Sequence, residues 1–356
     1  MTPDEVVSKA SARVCLFGDH QDYLELPIIA CAINRFIEMR GVPNDSDMFH
    51  FEMLDMNSTR SFSINETFDI LERGDHIASV LRVLRRYDCI PTKGYTITIK
   101  GDIPINAGLS SSSAFVIAWI RFLLKAFGSS EKITDALIAK IAHDAEVVEH
   151  KAPGGKMDHY SIALGDIIFL KTDESNAFVR IKKSIDGLIV AESGIAKDTE
   201  GVLSDLRGNA LKAIKLVQES YTDFDLQKAK LMDMEKYAHV LTSALRSYFY
   251  AAIKNHTITQ EAYIVLQEEN IDYQKLGELM NQHHEVLRDS LKITTPKIDA
   301  MIKAALEAGA YGAKIVGSGG GGSICVISPT AKQESIISAI KEVSQEKAYV
   351  VDVISA

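Results

Sequence analysis

Four consecutive serines, Ser110 to Ser113, follow Pro104-Ile-Asn-Ala-Gly108-Leu109 and precede a strongly apolar stretch from Ala114 to Phe127. Small residues let a backbone close on an anion, and the first turn of a helix offers unpaired N–H groups to it. The pattern describes a phosphate cradle made of Gly108, Leu109, Ser110, Ser111, Ser112 and Ser113. The Ser112 hydroxyl is best placed within it to offer Mg²⁺ the hard oxygen that ion prefers. A second small-residue run, Gly317-Ser-Gly319-Gly320-Gly321-Gly322, fits the G-x-G-x-x-G spacing. A dinucleotide site needs a helix after those glycines, whereas Ser323-Ile-Cys-Val-Ile327 has the residues of a strand. The run is therefore expected to join two strands and to bring its backbone close to another segment or to a triphosphate. A P-loop is excluded, because the one Gly-Lys pair, Gly155-Lys156, continues with Met157 and not with Ser or Thr.

Two further clusters carry acids. Glu146 and Asp158 stand twelve residues apart on either side of the break Lys151-Ala-Pro-Gly-Gly155, a spacing that suits a metal ligand and a base. Arg13 precedes Asp19-His20-Gln21-Asp22-Tyr23. Carboxylates accept hydrogen bonds from neighbouring hydroxyls, so this second cluster suits a polyol.

These residues need elements to hold them. Residues 12–17 have the composition of a strand ended by Gly18, and the apolar run 27–38 can pair with it. Helical spacing appears over 77–87, and Tyr95, Ile97 and Ile99 alternate with polar residues at strand period. Ala114 to Phe127 reads as a buried helix stopped by Gly128, followed by a second helix over 131–149 and a strand over 167–170. The second half carries helical patterns around 200–220, 228–254, 260–288 and 296–309. Strands at 314–317 and 323–327 flank the glycine run.

The composition agrees with a chain of two domains. Its 356 residues are 46% hydrophobic, enough for sizeable cores. Net charge is −9 with no block of Lys and Arg, which argues against nucleic-acid and anionic-membrane partners. Cys15, Cys31, Cys89 and Cys325 form no C-x-x-C pair and are expected as buried free thiols. No signal peptide and no apolar membrane span are expected, which points to a cytoplasmic protein.

Together these stretches resemble the GHMP kinase family, and within it they are most similar to the galactokinases. Arg13-Val-x-Leu-x-Gly18-Asp-His-x-Asp-Tyr23, continued by Cys31-Ala-Ile-x-Arg35, resembles the first family motif. Gly108-Leu-Ser-Ser-Ser112 resembles the second. Met280-Asn281, His283 and Leu287-Arg288, then Gly309-Ala-Tyr-Gly-Ala313, lead into the third at Gly317–Gly322.

The resemblance implies a two-domain α+β fold. Residues 1–188 would form an N-terminal α/β domain with a left-handed-type phosphate loop, and residues 189–356 a ferredoxin-like α+β domain. It also implies ATP and Mg²⁺, with Asp158 as catalytic base and Arg13 facing it. Ser112 and Glu146 would be metal ligands. Gly317, Gly319, Gly320 and Gly321 would join the serine loop at the phosphates, and Asp19, His20, Asp22 and Gly155 would line the substrate site. The implied reaction moves the γ-phosphate of ATP to a sugar hydroxyl, the anomeric one, in a monomer or homodimer. Acceptors such as a heptose phosphate, arabinose, glucuronate or mevalonate, and a non-catalytic sugar sensor, are the alternatives. Departures from the galactokinase pattern fall in the substrate pocket. Asp19 stands for Glu, Leu24-Glu25-Leu26 for Asn-Gly-Gly-like residues, and His159 for Gln. The Tyr-x-x-Arg segment has no clear match around Ser204-Asp-Leu-Arg207.

Overall fold

A computed structural model describes residues 5–196 and 199–356. The first part contains β1 (Val6–Phe17), β2 (Ile28–Pro43), β3 (Met48–Met53), β4 (Ser58–Ser63), α1 (His76–Leu84), β5 (Tyr95–Gly101), α2 (Ser111–Phe127), α3 (Asp135–His143), α4 (Met157–Leu164), β6 (Ile167–Leu170) and β7 (Phe178–Ile181). Its strands form one sheet in the order β4-β3-β5-β2-β6-β7, with β1 also paired to β2. β2 pairs with β1 along most of its length, and its opposite edge is shared by β5 and β6. Among the described residues of this sheet, only β3 and β5 run parallel. The hairpin of β3 and β4 had no counterpart in the sequence reading, because its outer strand Ser-Thr-Arg-Ser-Phe-Ser is mostly polar.

The second part contains β8 (Leu188–Glu192), α5 (Thr199–Ser220), α6 (Met234–Ala238), α7 (Ser243–Gln267), α8 (Tyr273–Asp289), α9 (Pro296–Glu307), β9 (Gly312–Ile315), β10 (Ser323–Ile327), α10 (Gln333–Ser344) and β11 (Ala348–Val350). Its four strands are antiparallel in the order β11-β8-β10-β9. α9 and α10 pack together beside this sheet, the mixed arrangement of the expected α+β class. The helical boundaries differ from those read from sequence. The pattern over 228–254 and 260–288 is divided at 268–272, and α7 runs unbroken through residue 255. Thr242 caps the start of α7 through Leu245 N–H, and Asp272 caps α8 through Lys275 N–H. These side-chain oxygens satisfy first-turn amides and so fix where each helix begins. The apolar periodicity alone leaves that choice open.

The core explains the fate of the aromatic residues. Trp119 is wholly buried on α2, stacked on Phe122, and its indole N–H donates to the Ile77 carbonyl at 3.3 Å. Tyr95 packs edge-on to Phe122. All four cysteines are buried and unpaired. No described helix is long and apolar enough to cross a membrane.

Candidate active site

β1 brings the first site residues into place. Its alternating apolar residues are buried on both faces, and Arg13 sits among them with its head group near the serine loop. The Arg13 N–H donates to the Leu109 carbonyl at 3.2 Å, and Arg13 Nη1 donates to the Gly108 carbonyl at 2.5 Å. The remaining edge of the guanidinium meets Asp158 Oδ1, with Nε at 2.8 Å and Nη2 at 2.7 Å. Both nitrogens converge on this one oxygen in a charge-assisted contact, which leaves Oδ2 to other partners. Asp158 lies in the first turn of α4, where the helix dipole favours a negative charge. Its other oxygen, Oδ2, accepts a hydrogen bond from Ser110 Oγ at 2.6 Å. Burial opposes the charge of Arg13, but the Asp158 carboxylate outweighs it and holds the guanidinium above its ordinary value.

The serine loop earns this position by unusual backbone. Asn106, Gly108 and Ser110 all have positive φ, with Ser110 at φ 61° and ψ 49°. Ser110 is the N-cap residue of α2, yet its side chain caps nothing and turns to Asp158. A serine in the left-handed region is strained, and the carboxylate contact compensates for part of that strain.

Glu146 lies on one wide helical turn, residues 144–148, with π-type bonding. Such turns re-aim single side chains and recur at functional positions. His159 Nε2 lies 2.9 Å from Glu146 Oε2. Burial alone would raise the Glu146 carboxyl, but the His159 hydrogen bond and nearby charges bring it down to about 2. Asp22 behaves in the opposite way. Burial first, then the neighbouring Asp158 charge, pushes its carboxyl up to about 6. Tyr23 N–H and Met157 N–H donate to Asp22 at 3.1 and 3.3 Å. A Cβ on Gly155 would overlap Asp22 Oδ2, so a larger residue here would displace the Asp22 carboxylate or the turn. His20 has φ 62° and shares a 3.1 Å hydrogen bond between Nδ1 and the Tyr23 hydroxyl.

These residues surround one cavity of about 370 Å³. Gly108, Ser110–Ser113, Arg13, Asp158, Glu146, His20, Asp22 and Gly155 all line it, so the structure brings together residues spread over most of the first 160 positions. The glycine run divides. Gly317 reaches the cavity wall. Gly319 is pressed against Ile293, and Gly321 against Ile195. Gly320 N–H donates to the Ile293 carbonyl at 2.7 Å. Leu109 is wholly buried and contributes its carbonyl to Arg13. Asp19 also borders the cavity, but it is only 1% exposed and its oxygens are engaged by Lys314 and Gly317 N–H.

Several wall residues were not singled out in the sequence. Ser318 lines the cavity with a buried hydroxyl that has no hydrogen-bond partner, and its position inside the glycine run was the available signal. His76 and Leu203 also line it and belong to no motif, and Asn106 lies in the stretch that leads into the serine loop. Leu203 lies one residue before the Ser204-Asp-Leu-Arg207 stretch that departs from the galactokinase pattern.

Comparison with known proteins identifies the family of the chain. The chain belongs to the GHMP kinase family: residues 75–166 match the GHMP kinases N terminal domain, and residues 265–345 match the GHMP kinases C terminal domain. It is 28% identical over 345 residues to a mevalonate kinase of Thermococcus sibiricus, covering 94% of this chain and 92% of that one. It is 27% identical over 335 residues to a galactokinase of Thermococcus kodakarensis, covering 91% and 89%. Its fold superposes on Lactococcus lactis galactokinase complexed with galactose, with a TM-score of 0.87, 18% identity and coverage of 100% and 95%.

Proposed function

We propose that the protein is a galactokinase-like sugar kinase that transfers the γ-phosphate of ATP to a sugar hydroxyl, the anomeric one, giving a sugar 1-phosphate. The observation that carries this reading is the position of Asp158. Its carboxylate opens on a cavity shared with the serine loop, and Arg13 and Ser110 orient its two oxygens. An acceptor hydroxyl beside Asp158 Oδ2 would lie where it can attack an in-line γ-phosphorus. The acceptor O–P bond forms, the bond from the γ-phosphorus to the β-bridging oxygen breaks, and the acceptor proton passes to Asp158. The transition state of such transfers is loose, so the proton can leave late and a carboxylate suffices as base. Arg13 stabilises charge developing on the phosphoryl oxygens. Backbone N–H groups at the start of α2 would hold the phosphates.

The donor set suits Mg²⁺. Glu146 is kept anionic and has one oxygen outside the His159 contact, and Ser112 supplies an exposed hydroxyl on the same wall. Bound there, Mg²⁺ would neutralise charge on the phosphate oxygens.

Mevalonate is the second reading, because curated relatives at similar identity are mevalonate kinases. The charge of the acceptor end favours a neutral sugar. Asp22 and Asp158 both face it, and Arg13 is already paired. Lys156, which flanks this loop, is tied by Nζ to the Asp173 carbonyl at 2.9 Å. An anionic acceptor needs a free cation in the wall, and among the described lining residues there is no lysine. ADP release by the purified protein with Mg²⁺-ATP, across galactose, glucose, arabinose, fucose, glucuronate, heptose 7-phosphate and mevalonate, tests the choice. Turnover with a neutral sugar alone supports this reading, and turnover with mevalonate alone overturns it.

A further inference from the structure

Asp19 and Lys314 are 295 positions apart in sequence and form a sealed ion pair where the two sheets meet. Lys314 Nζ lies 2.6 Å from Asp19 Oδ2, with side-chain exposures of 0% and 1%. The same Nζ donates to the Cys15 carbonyl at 3.0 Å. The other carboxylate oxygen, Oδ1, accepts the Gly317 N–H at 2.9 Å. Burial opposes both charges, yet their mutual attraction dominates: Asp19 is held well below the usual carboxylate range and Lys314 above its ordinary value. His283, stacked on Phe17 beside the pair, is pushed down to about 3 by burial and then by Lys314. It stays neutral, so it does not compete for the Asp19 charge.

A buried ion pair is a poor way to stabilise a fold, because well-packed apolar side chains of similar volume do as well or better. The use of this pair must be sought in what it positions. Among the described residues, the glycine loop is tethered outside its own hairpin at three positions, Gly320, Gly322 and Gly317. Gly320 N–H donates to the Ile293 carbonyl, Gly322 N–H donates to the Ile195 carbonyl and the Gly322 carbonyl accepts from Ser193 N–H, and none of these residues lines the cavity. The third is the bond from Gly317 to Asp19, and Gly317 and Ser318 are the loop residues that line the cavity wall.

We propose that Asp19 and Lys314 are a positioning pair that anchors the glycine loop at Gly317, and that through this anchor they set the affinity for nucleotide. The inference rests on the reading of the cavity as a nucleotide site. Lys314 fixes the Asp19 carboxylate, the carboxylate fixes Gly317 N–H, and the Gly317–Ser318 backbone then faces the serine loop across the cavity. Asp19 thus acts on the phosphate side, and His20 and Asp22 are left to meet the acceptor.

Two double variants separate anchoring from charge balance. Asp19→Asn with Lys314→Met removes both charges and keeps a carbonyl oxygen for Gly317. Asp19→Leu with Lys314→Met removes the charges and the acceptor. Titration calorimetry of the full chain with Mg²⁺-ATP, without any acceptor sugar, reads the outcome. The Asn/Met variant is expected to bind within ~3-fold of wild type and the Leu/Met variant ~10-fold more weakly, the scale of one net hydrogen bond, at similar melting temperatures. Leu/Met binding as tightly as wild type, or Asn/Met falling as far as Leu/Met, overturns the proposal. Should a variant not fold, hydrogen exchange of the nucleotide-free wild type decides. A protected Gly317 amide supports the anchor, and exchange at the rate of an open loop overturns it. Wild type that fails to bind Mg²⁺-ATP would instead sink the kinase reading.

Discussion

Two acid–base pairs sit on or just beyond β1, six residues apart, and they do different work. Arg13 with Asp158 and Lys314 with Asp19 both close to 2.7 Å or less. The first pair leaves its acid 30% exposed on the cavity, and the second leaves its acid 1% exposed at the seam. Contact distance is therefore no guide to role. A carboxylate that keeps a solvent-facing lone pair can take a proton from a bound hydroxyl, whereas one sealed by a lysine and a backbone N–H can only hold geometry. Arg13 does two jobs at once: it aims Asp158 through Oδ1 and holds a cation beside the cavity that would receive the phosphoryl group. Positioning and phosphoryl-charge stabilisation should then supply most of the rate.

The contrast breaks first at Asp158. Asp158→Asn keeps the shape and removes the proton acceptor, and turnover is expected to fall ~10²- to 10⁴-fold, the range for a lost general base. Mg²⁺-ATP affinity should change little. Steady-state kinetics beside nucleotide titration checks this, and near-wild-type turnover would remove Asp158 from the chemistry. At the sealed pair, Lys314→Met leaves a buried carboxylate without its partner. The expected result is a loss of about 3–5 kcal/mol in unfolding free energy, measured by denaturant titration. An unchanged midpoint would mean that Asp19 had found water or taken up a proton at little cost.

A third test acts between the two pairs. Gly155→Ala drives a methyl into Asp22 Oδ2, so either the Pro153–Gly155 turn or the Asp22 side chain must shift. Because displacement of about an ångström in a reacting geometry can cost ~10²-fold, we expect kcat/KM for the sugar to drop ~10- to 10²-fold. KM for ATP should stay near wild type, since the hydrogen bonds that Asp22 accepts beside this turn come from Tyr23 and Met157 and not from the serine loop. Equal losses for both substrates would show that the turn supports the whole cavity.

How much of this was legible beforehand varies with the kind of residue. The serine loop was readable because strand, Pro104, Gly108, serines and apolar helix follow one another in sequence, and a local order of residue types is what a chain displays. The strand after Gly322 was readable for the same reason, and it removed the dinucleotide reading. Lys314 was invisible. Its neighbours are apolar, and nothing in Ala313-Lys-Ile315 indicates that the ammonium is folded inward against an acid 295 positions earlier. Asp19 standing for Glu was legible as a departure from the galactokinase pattern, but its partner could not be named without the fold. The boundary between α7 and α8 was misplaced because the capping residues Thr242 and Asp272 are common polar residues whose role appears only when an amide lies above them.

The gentlest test concerns Asp22, the acid that belongs to neither pair. Its carboxyl, raised to about 6 by burial and by the Asp158 charge, is above the ordinary aspartate value. Between roughly pH 4 and 6 the folded protein therefore holds a proton that the unfolded chain has released. The contribution of Asp22 to stability is full below that window and is lost as pH rises through it. Binding runs the other way, because the ionised carboxylate offers both oxygens as acceptors to sugar hydroxyls, whereas protonation turns one of them into a donor. Below pH 6 the share of competent protein falls about tenfold per unit. The expected profile of kcat/KM for the sugar has an acid limb with its midpoint near 6, giving about a tenfold loss at pH 5 against pH 8. Asp22→Asn should lower the plateau and flatten that limb, while KM for ATP stays level across the same range. A limb that survives unchanged in Asp22→Asn would assign the titration to another group in the cavity and leave Asp22 as a brace for the Met157 amide.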